Sequence, residues 1–240
     1  MTTRAKADAL PQRTLCIDIG GTGLKTMIVS ASGKPLSDRV RLETPRPATP
    51  RAICAALLEV MPERTRFDRV SVGFPGVVVD GVTLTAPNLH PAWKGFGLAT
   101  WVLRSTGRPT RVLNDAGVQG HGVVKGLGTE ICVTLGTGFG FSLFVNGHYV
   151  PNVEFGHHPF RKGRSYEELL GDAALKRRGK RKWNATLAAA VAQLQDIFNF
   201  RALYLGGGNA RKVEFKLPRN VKLVDNVAGL LGGVKLWERD

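Results

Sequence analysis

The sequence predicts an α/β protein built from two related lobes. Segments rich in β-branched and apolar residues alternate with segments whose apolar residues recur at helical spacing, which is typical of the α/β class. A strand, a Gly-Thr-Gly turn and a second strand occur near residue 17 and again near residue 134, close to half a chain apart. A repeat at this separation predicts two similar lobes that face each other across a cleft.

The first quarter of the chain predicts three strands and a helix. Residues 14–17 and 26–29 are expected to form a hairpin, and a third strand is expected near residues 39–42. Thr49 is a good helix N-cap, and Pro50 occupies the first helical position, where its missing N–H costs nothing. A helix is therefore expected to begin at this point.

The later segments continue the alternation of strands and helices. Short apolar strands are expected at residues 70–72 and 111–113, and the second leads into a glycine-containing helix that ends near Lys125. A strand at residues 202–205 precedes a glycine cluster, and residues 227–237 place their apolar side chains on one helical face. This order supports the α/β assignment.

The composition narrows the classes of function. The 34 Lys and Arg residues exceed the 19 Asp and Glu residues, and the net charge of +15 favours polyanionic partners. Cys16, Cys54 and Cys132 are isolated, which predicts a reducing, cytoplasmic location and no disulfide framework. Neither a secretory signal nor a membrane helix is predicted.

Two glycine-rich turns are candidate phosphate-binding sites, because glycine lets successive backbone N–H groups point at an anion. The candidates are Gly20, Gly21, Thr22 and Gly23 in the first turn and Gly136, Thr137 and Gly138 in the second. Neither turn matches the P-loop or the dinucleotide-binding pattern, and ordinary hairpin chemistry is the alternative interpretation. Asp18 is positioned to hold Mg²⁺ near a phosphate, or else it caps the hairpin; Lys25 is either a phosphate ligand or a solvated charge.

Six ordered motifs resemble those of the ROK family of sugar kinases. They are Asp18-Ile-Gly-Gly-Thr-Gly, Gly73-Phe-Pro-Gly, Asn114-Asp115-Ala, Leu135-Gly-Thr-Gly-Phe-Gly, Glu154-Phe-Gly-His157 and Leu205-Gly-Gly-Gly208. The resemblance extends over about residues 14–237 and is greatest to the polyphosphate-dependent glucokinases of that family. It implies an actin-like (RNase H-like) fold with lobes at 1–113 and 114–225, and a last helix within 226–240 that packs back on the first lobe.

The resemblance also implies a reaction, the phosphorylation of glucose or a related hexose on its 6-hydroxyl with Mg²⁺ as cofactor. Asp115 would be the general base that accepts the proton of this hydroxyl. Asn88, Asn114, Glu154 and His157 would hydrogen-bond the other hydroxyls. The alternatives are a turn residue at 88, a helix cap at 114–115 and a structural histidine at 157.

The phosphoryl donor implied by the resemblance is polyphosphate, ATP or both. Nine basic residues between positions 161 and 182 would form a track for a polyphosphate chain, unless they are only a solvated basic loop. They are Arg161, Lys162, Arg164, Lys176, Arg177, Arg178, Lys180, Arg181 and Lys182. Gly206, Gly207 and Gly208 resemble the nucleotide-contacting glycines of the family, which keeps a strictly ATP-dependent kinase open as an alternative.

Other classes of protein fit the sequence less well. Most ROK proteins carry a zinc site with a cysteine cluster, but no cysteine follows Cys132, so no zinc is predicted. The thirteen residues before Thr14 are too few for the DNA-binding domain of a ROK repressor. The basic segment has few aromatic residues, so no specific nucleic-acid partner is expected. A homodimer is expected, and a sugar-binding protein without catalysis remains the alternative.

Overall fold

The described residues 12–225 and 227–238 of the computed structural model fold around two five-stranded β-sheets. Residues 1–11 of the predicted first lobe lie outside the described residues. So do residues 226, 239 and 240 of the C-terminal segment.

The first sheet combines an antiparallel hairpin with parallel strands. The strands of this half are β1 (Thr14–Ile19), β2 (Gly23–Val29), β3 (Val40–Glu43), β4 (Arg69–Phe74), β5 (Val78–Val79), β6 (Val82–Thr83) and β7 (Thr110–Asn114). The sheet order is β3-β2-β1-β4-β7, while β5 and β6 pair separately. β1 runs antiparallel to β2 and parallel to β4, so the hairpin predicted at residues 14–29 is confirmed.

The second sheet repeats this arrangement. Its half of the chain contains β8 (Thr129–Leu135), β9 (Phe139–Val145), β10 (His148–Val150), β11 (Pro159–Arg161), β12 (Arg164–Ser165), β13 (Ala202–Gly206) and β14 (Val221–Leu223). The order is β10-β9-β8-β13-β14, with β8 antiparallel to β9 and parallel to β13. The two sheets thus share one strand order, which confirms the predicted α/β class and its internal repeat.

The helices pack on these sheets. They are α1 (Pro50–Val60), α2 (Leu98–Thr106), α3 (Asp115–Val123), α4 (Tyr166–Leu170), α5 (Asp172–Arg178), α6 (Lys180–Phe198) and α7 (Val227–Lys235). The predicted start of α1 is confirmed, because the Thr49 side chain accepts a hydrogen bond from the Ala52 amide and Pro50 follows the cap. In the described part of the chain, no helix has the length and apolar character needed to cross a membrane.

Each sheet has its own hydrophobic core with one fully buried tryptophan. Trp93 belongs to the first core, and its indole Nε1 donates to the Ala48 carbonyl at 2.9 Å. Trp183 belongs to the second core and donates to the Leu170 carbonyl at 2.8 Å. Because both buried N–H groups are hydrogen-bonded, the rings add apolar area without the cost of an unpaired donor.

Helices α3 and α7 pack unusually closely beside the first sheet. A Cβ atom at Gly232 would lie 1.6 Å from the Val118 carbonyl oxygen, and one at Gly233 would lie 2.6 Å from Cys16 Sγ. Only glycine permits this approach of α7 to α3 and β1. The segment after α7 is fixed by Trp237, whose Nε1 donates to Ser71 Oγ at 2.8 Å. The lobe boundary at residues 113 and 114 stays a prediction.

We expect Gly232→Ala to lower the free energy of unfolding by about 2–3 kcal/mol, because the methyl group overlaps a backbone oxygen of the neighbouring helix. Chemical denaturation measures this change. Gly97→Ala is the control: its Cβ would lie 3.8 Å from Thr100, so a change below about 1 kcal/mol is expected. Equal effects of the two substitutions would contradict the close helix contact.

Candidate active site

A cleft of about 370 Å³ lies between the two sheets and brings together the predicted base, the predicted hydroxyl-binding residues and all the predicted phosphate-binding residues except Gly206. The predicted residues that line it are Asp18, Gly20, Gly21, Thr22, Gly23, Lys25, Asn88, Asn114, Asp115, Gly136, Thr137, Gly138, Glu154, His157, Gly207 and Gly208. These residues come from both halves of the chain, so the two glycine turns face one cleft. The arrangement matches the one predicted from the internal repeat.

The first glycine turn has its carbonyl groups held by hydrogen bonds. The Gly20 amide donates to the Gly23 carbonyl at 3.0 Å, which closes the turn. The Thr44 hydroxyl donates to the Gly20 carbonyl at 2.5 Å, and Arg46 Nη2 donates to the Gly21 carbonyl at 2.9 Å. Two successive peptide units are therefore fixed in orientation from outside the turn.

This orientation leaves two amides available to a ligand. In a trans peptide the N–H points opposite to the preceding C=O. The amides of Gly21 and Thr22 therefore point away from Thr44 and Arg46. Neither amide has a hydrogen-bond acceptor among the described residues, and both residues line the cleft. Adjacent free N–H groups of this kind form an anion-binding concavity.

The carbonyl groups of the second glycine turn are also held by hydrogen bonds, but from different donors. The Gly136 amide donates to the Gly138 carbonyl at 3.2 Å. The Gly136 carbonyl accepts from the Asp172 amide at 2.9 Å and from Asn209 Nδ2 at 3.3 Å, and the Asp172 amide also reaches the Thr137 carbonyl at 3.3 Å. In the described residues the amides of Thr137 and Gly138 have no acceptor, so the cleft has a turn with two free amides on each side.

The glycine cluster after β13 only partly matches the prediction. Gly207 and Gly208 line the cleft, and Gly207 requires glycine because its φ is +85° and a Cβ would lie 2.4 Å from the Leu135 carbonyl oxygen. Gly206 does not line the cleft, and its predicted contact with phosphate or nucleotide stays a prediction. Gly206 is the last residue of β13, and a Cβ there would lie 2.1 Å from Gln119 Nε2, so its contact is internal.

Asp115 is positioned by a helix cap at the junction of β7 and α3. Asn114 Oδ1 accepts hydrogen bonds from the amides of Ala116 at 3.0 Å and Gly117 at 3.3 Å, which makes it the N-cap. Its Nδ2 donates to the Gly76 carbonyl at 3.3 Å. Asp115 is the first residue of α3 and lines the cleft. The cap interpretation of Asn114 is therefore confirmed, and the cap itself orients Asp115.

The pKa of the Asp115 carboxyl is raised from 3.8 to about 7. Burial is the main cause, since it disfavours the charged form, and the charge of Asp18 adds to it. The Ala116 amide and Lys25 act in the opposite direction, while Glu154 raises the pKa further. A carboxylate with a pKa near neutrality is well suited to accept a proton from a bound hydroxyl.

The residues predicted to bind hydroxyl groups lie around Asp115. Glu154 Oε2 lies 3.7 Å from His157 Nε2, and its Oε1 lies 3.5 Å from Asn114 Nδ2. Burial raises the pKa of Glu154, and His157 opposes this rise. Asn88 contacts the first turn, since its Cβ lies 3.4 Å from the position of a Gly21 Cβ. Amide, carboxylate and imidazole groups therefore converge beside the candidate base.

Glu167 is a cleft residue that the sequence interpretation missed. Its Oε2 accepts from the Phe139 amide at 3.4 Å and occupies the space where a Gly138 side chain would begin. Its charge also raises the pKa of Glu154, so the two carboxylates are neighbours. In sequence Glu167 belongs to an ordinary helix start capped by Ser165, and no local signal distinguishes it.

Asp18 and Lys25 form an ion pair at 2.6 Å beside the first turn. Among residues 12–225 and 227–238, no group of three or more His, Cys, Asp or Glu side chains is placed to hold a metal. Mg²⁺ commonly binds through one or two carboxylates with phosphate oxygens and water. The single carboxylate of Asp18, 40% exposed next to the first glycine turn, fits that pattern.

The nine basic residues between 161 and 182 do not line the cleft and are not one loop. They lie on the β11–β12 hairpin, at the end of α5 and in the first turn of α6, and all except the half-buried Arg178 are exposed. Arg164 and Arg177 both lower the pKa of Glu168, so hairpin and helix are neighbours. Lys176 pairs with Asp172 at 2.7 Å, which connects this basic surface to the second turn.

We expect Asp115→Asn to stabilise the protein at pH 8 but not at pH 4. The folded state disfavours the Asp115 carboxylate, so its cost is absent below about pH 4 and complete above about pH 7. The gain is at most about 4 kcal/mol, the linkage value of a pKa raised from 3.8 to about 7. Urea denaturation at several pH values measures it, with the exposed Asp196→Asn as control. A gain that does not change with pH would contradict the raised pKa.

Comparison with known proteins identifies the family to which these site residues point. The ROK family model matches residues 14–166. The chain is 30% identical over 233 residues to the polyphosphate glucokinase of Mycobacterium tuberculosis strain H37Rv, covering 90% of this chain and 88% of that protein. It is 32% identical over 234 residues to the polyphosphate glucokinase of Mycobacterium leprae, covering 90% and 72%.

The solved structures agree with this family. The inorganic polyphosphate/ATP-glucomannokinase from Arthrobacter sp. strain KM superimposes with a TM-score of 0.84 at 29% identity, covering 95% of this chain and all of that one. A ROK family glucokinase from Streptomyces griseus, solved in complex with glucose and AMPPNP, shares the fold with a TM-score of 0.76 at 21% identity, covering 93% and 98%. The protein has the two-lobed, actin-like fold of these kinases, and it belongs to the ROK family.

Proposed function

We propose that this chain is a glucokinase that transfers a phosphoryl group from polyphosphate or ATP to the 6-hydroxyl of glucose or a related hexose. The observation that carries the proposal is the position of Asp115. It is a carboxylate with a pKa of about 7, in a cleft that has an anion-binding turn on each side. The names of the relatives, polyphosphate glucokinase and polyphosphate/ATP-glucomannokinase, support the same donor and acceptor classes.

The acceptor hydroxyl would be oriented and deprotonated by the residues around α3. Asp115 takes the proton as the hydroxyl oxygen attacks the phosphorus atom. The remaining hydroxyls have convergent partners, because a buried sugar needs a hydrogen bond for each polar group. These partners are Asn88, Asn114, Glu154, His157 and, from the structure, Glu167.

The donor phosphates would be held by backbone amides of both lobes. The amides of Gly21 and Thr22 and those of Thr137 and Gly138 offer four donors without competing protein acceptors among the described residues. Preorganised donors of this kind stabilise the charge on the transferred group without reorganisation. Asp18 would hold Mg²⁺, which neutralises phosphate charge when bound. Lys25, Gly207 and Gly208 complete the phosphate side of the cleft.

The basic surface between residues 161 and 182 would attract a long polyphosphate chain. It begins beside the second turn, because Asp172 both pairs with Lys176 and holds the Gly136 carbonyl. Its exposed Lys and Arg residues have high local charge and would release counterions when a polyanion binds. This surface supports polyphosphate as a donor, whereas Gly207 and Gly208 support ATP.

The organisation of the whole protein is part of the proposal. The lobes are 1–113 and 114–225, and α7 packs against β1, β2, β4 and α3 at their junction. Binding of a hexose would bring the lobes together and exclude water from the transfer. Burial raises the pKa of Cys16, Cys54 and Cys132 to about 12, which keeps them as thiols and supports a reducing, cytoplasmic location. A homodimer remains part of the proposal.

Asp115→Asn is expected to retain hexose binding while kcat falls by at least about a hundredfold, because the amide cannot accept the proton. Calorimetric titration with glucose measures binding, and coupled assays with polyphosphate and with ATP, at matched phosphate, measure turnover. The exposed Asp196→Asn is the control. Turnover near that of the wild type would remove Asp115 from the role of base, and turnover with ATP alone would contradict polyphosphate use.

The rate is expected to rise with pH around the pKa of Asp115, about 7. Below that value kcat/KM should fall about tenfold per pH unit, because the protonated carboxyl cannot act as the base. A pH profile between 5.5 and 8.5 at saturating donor tests this expectation. A profile that is flat down to pH 5.5 would show that no group with a pKa near 7 must be deprotonated.

A further inference from the structure

We propose that Arg39 and Arg41 form a binding site for the phosphates of polyphosphate that lie beyond the transferred group. The proposal rests on the proposed function and specifies how the first lobe distinguishes a long phosphate chain from a nucleotide. Neither residue belongs to the basic segment 161–182, and neither was among the candidates from sequence.

The register of the first sheet places a row of charges on the cleft face. Lys25 of β2 lies opposite Asp18 of β1 on one side and opposite Arg41 of β3 on the other. Side chains directly opposite each other in antiparallel strands point to the same face. Arg39, two residues before Arg41, lines the cleft together with Asp18 and Lys25. This charged row, made of Asp18, Lys25, Arg41 and Arg39, therefore extends outward from the base of the first turn.

The arginines adjoin the first turn on the side away from the hydroxyl-binding residues. A Cβ at Gly23 would lie 3.1 Å from Arg41 Nε and 3.2 Å from its Nη2, so the guanidinium packs against the turn. Asn88 contacts the same turn at Gly21. A phosphoryl group held by the turn would thus lie between the hexose and the arginines.

The guanidinium groups of Arg39 and Arg41 are available to bind a ligand. Both are exposed, and within the described part of the chain neither forms an ion pair or a side-chain hydrogen bond. By contrast, Lys25 is paired with Asp18, and Arg46 donates to a carbonyl of the turn. Glu43 is a further acidic residue of β3, yet the row keeps a net positive charge.

The chemistry of the row fits a linear phosphate chain. The planar guanidinium binds phosphate oxygens in a bidentate way, which lysine cannot do. Arg39 directly precedes β3 and Arg41 is its second residue, and two residues of extended chain span up to about 7 Å, so the two side chains would contact different phosphates of one chain. A nucleoside triphosphate ends in a ribose and base after three phosphates. Contacts farther along the row are therefore available to polyphosphate alone.

The test combines direct binding with donor kinetics in the double variant Arg39→Gln/Arg41→Gln. Binding of polyphosphate of defined length is titrated at several salt concentrations, and kcat/KM is measured with polyphosphate and with ATP. We expect affinity for polyphosphate to fall at least tenfold. The slope of log affinity against log salt should decrease by about 1.4, since each lost phosphate contact of a flexible polyanion accounts for about 0.7. The ratio of kcat/KM for polyphosphate to that for ATP should fall by at least tenfold.

Three further variants test whether the effect is specific to the guanidinium groups at positions 39 and 41. Arg66→Gln removes an exposed arginine just before β4, at the end of the sheet opposite the cleft, and should match the wild type. Arg39→Lys/Arg41→Lys keeps the charge and should lose affinity but retain the salt slope. Arg177→Gln/Arg181→Gln reduces the charge of the other basic surface. The thermal midpoint of every variant confirms folding.

The outcomes separate this proposal from the proposed function. Loss of polyphosphate binding in Arg39→Gln/Arg41→Gln, but not in Arg66→Gln, supports the row as the binding site. Unchanged binding, or a selective loss only in Arg177→Gln/Arg181→Gln, overturns the row while glucokinase activity persists. A wild-type protein that does not bind polyphosphate also overturns it. Absence of hexose phosphorylation with either donor would instead contradict the proposed function.

Discussion

The cleft depends on one geometric constraint, the fixed orientation of peptide units in the two glycine turns. A backbone amide is held in a fixed direction toward a ligand when the carbonyl of the same peptide unit has a hydrogen-bond partner on the opposite side. Thr44 and Arg46 supply that partner in the first turn, whereas the Asp172 amide and Asn209 supply it in the second. The fold repeats its strand order, but each lobe uses its own residues to hold the carbonyls. The orientation of the free amides is thus the same in both turns, although the residue types that maintain it differ.

Sequence patterns predicted the features that short-range chemistry determines. The cap of α1 at Thr49, the β1–β2 hairpin and the cap at Asn114, which was the alternative interpretation of that residue, each depend on residues within a few positions of one another. The contributions of Thr44, Glu167 and Asn209 depend instead on strand register and helix packing, which bring distant segments together. Gly206 shows the same limit. β13 ends at Gly206, which makes an internal contact, and the next residue, Gly207, lines the cleft. A run of three glycines contains no signal for where the strand ends.

The burial of Asp115 has two opposing effects, one on proton transfer and one on the stability of the fold. Asp115 directly follows β7 and is half-buried at the cleft, and Asp18 lies close enough to repel its charge. These effects raise the pKa toward neutrality, where proton transfer is effective, and they also disfavour the folded state whenever the carboxyl is ionised. The close contact of Gly232 with α3 and the anchoring of Trp237 stabilise the same region. Packing in the neighbouring helices therefore offsets the cost of a carboxylate adapted to its reaction.

The large positive charge has two separable physical roles. Most of the basic residues between 161 and 182 are exposed, so salt screens them, and their effect on a distant polyanion is attraction and faster encounter. Arg41 lies against the first turn, where its guanidinium would meet a bound phosphate directly, at a distance where screening is weaker. Net charge alone therefore predicts only that polyanions are attracted, whereas under our proposal the position of a few guanidinium groups beside the free amides determines which polyanion is held.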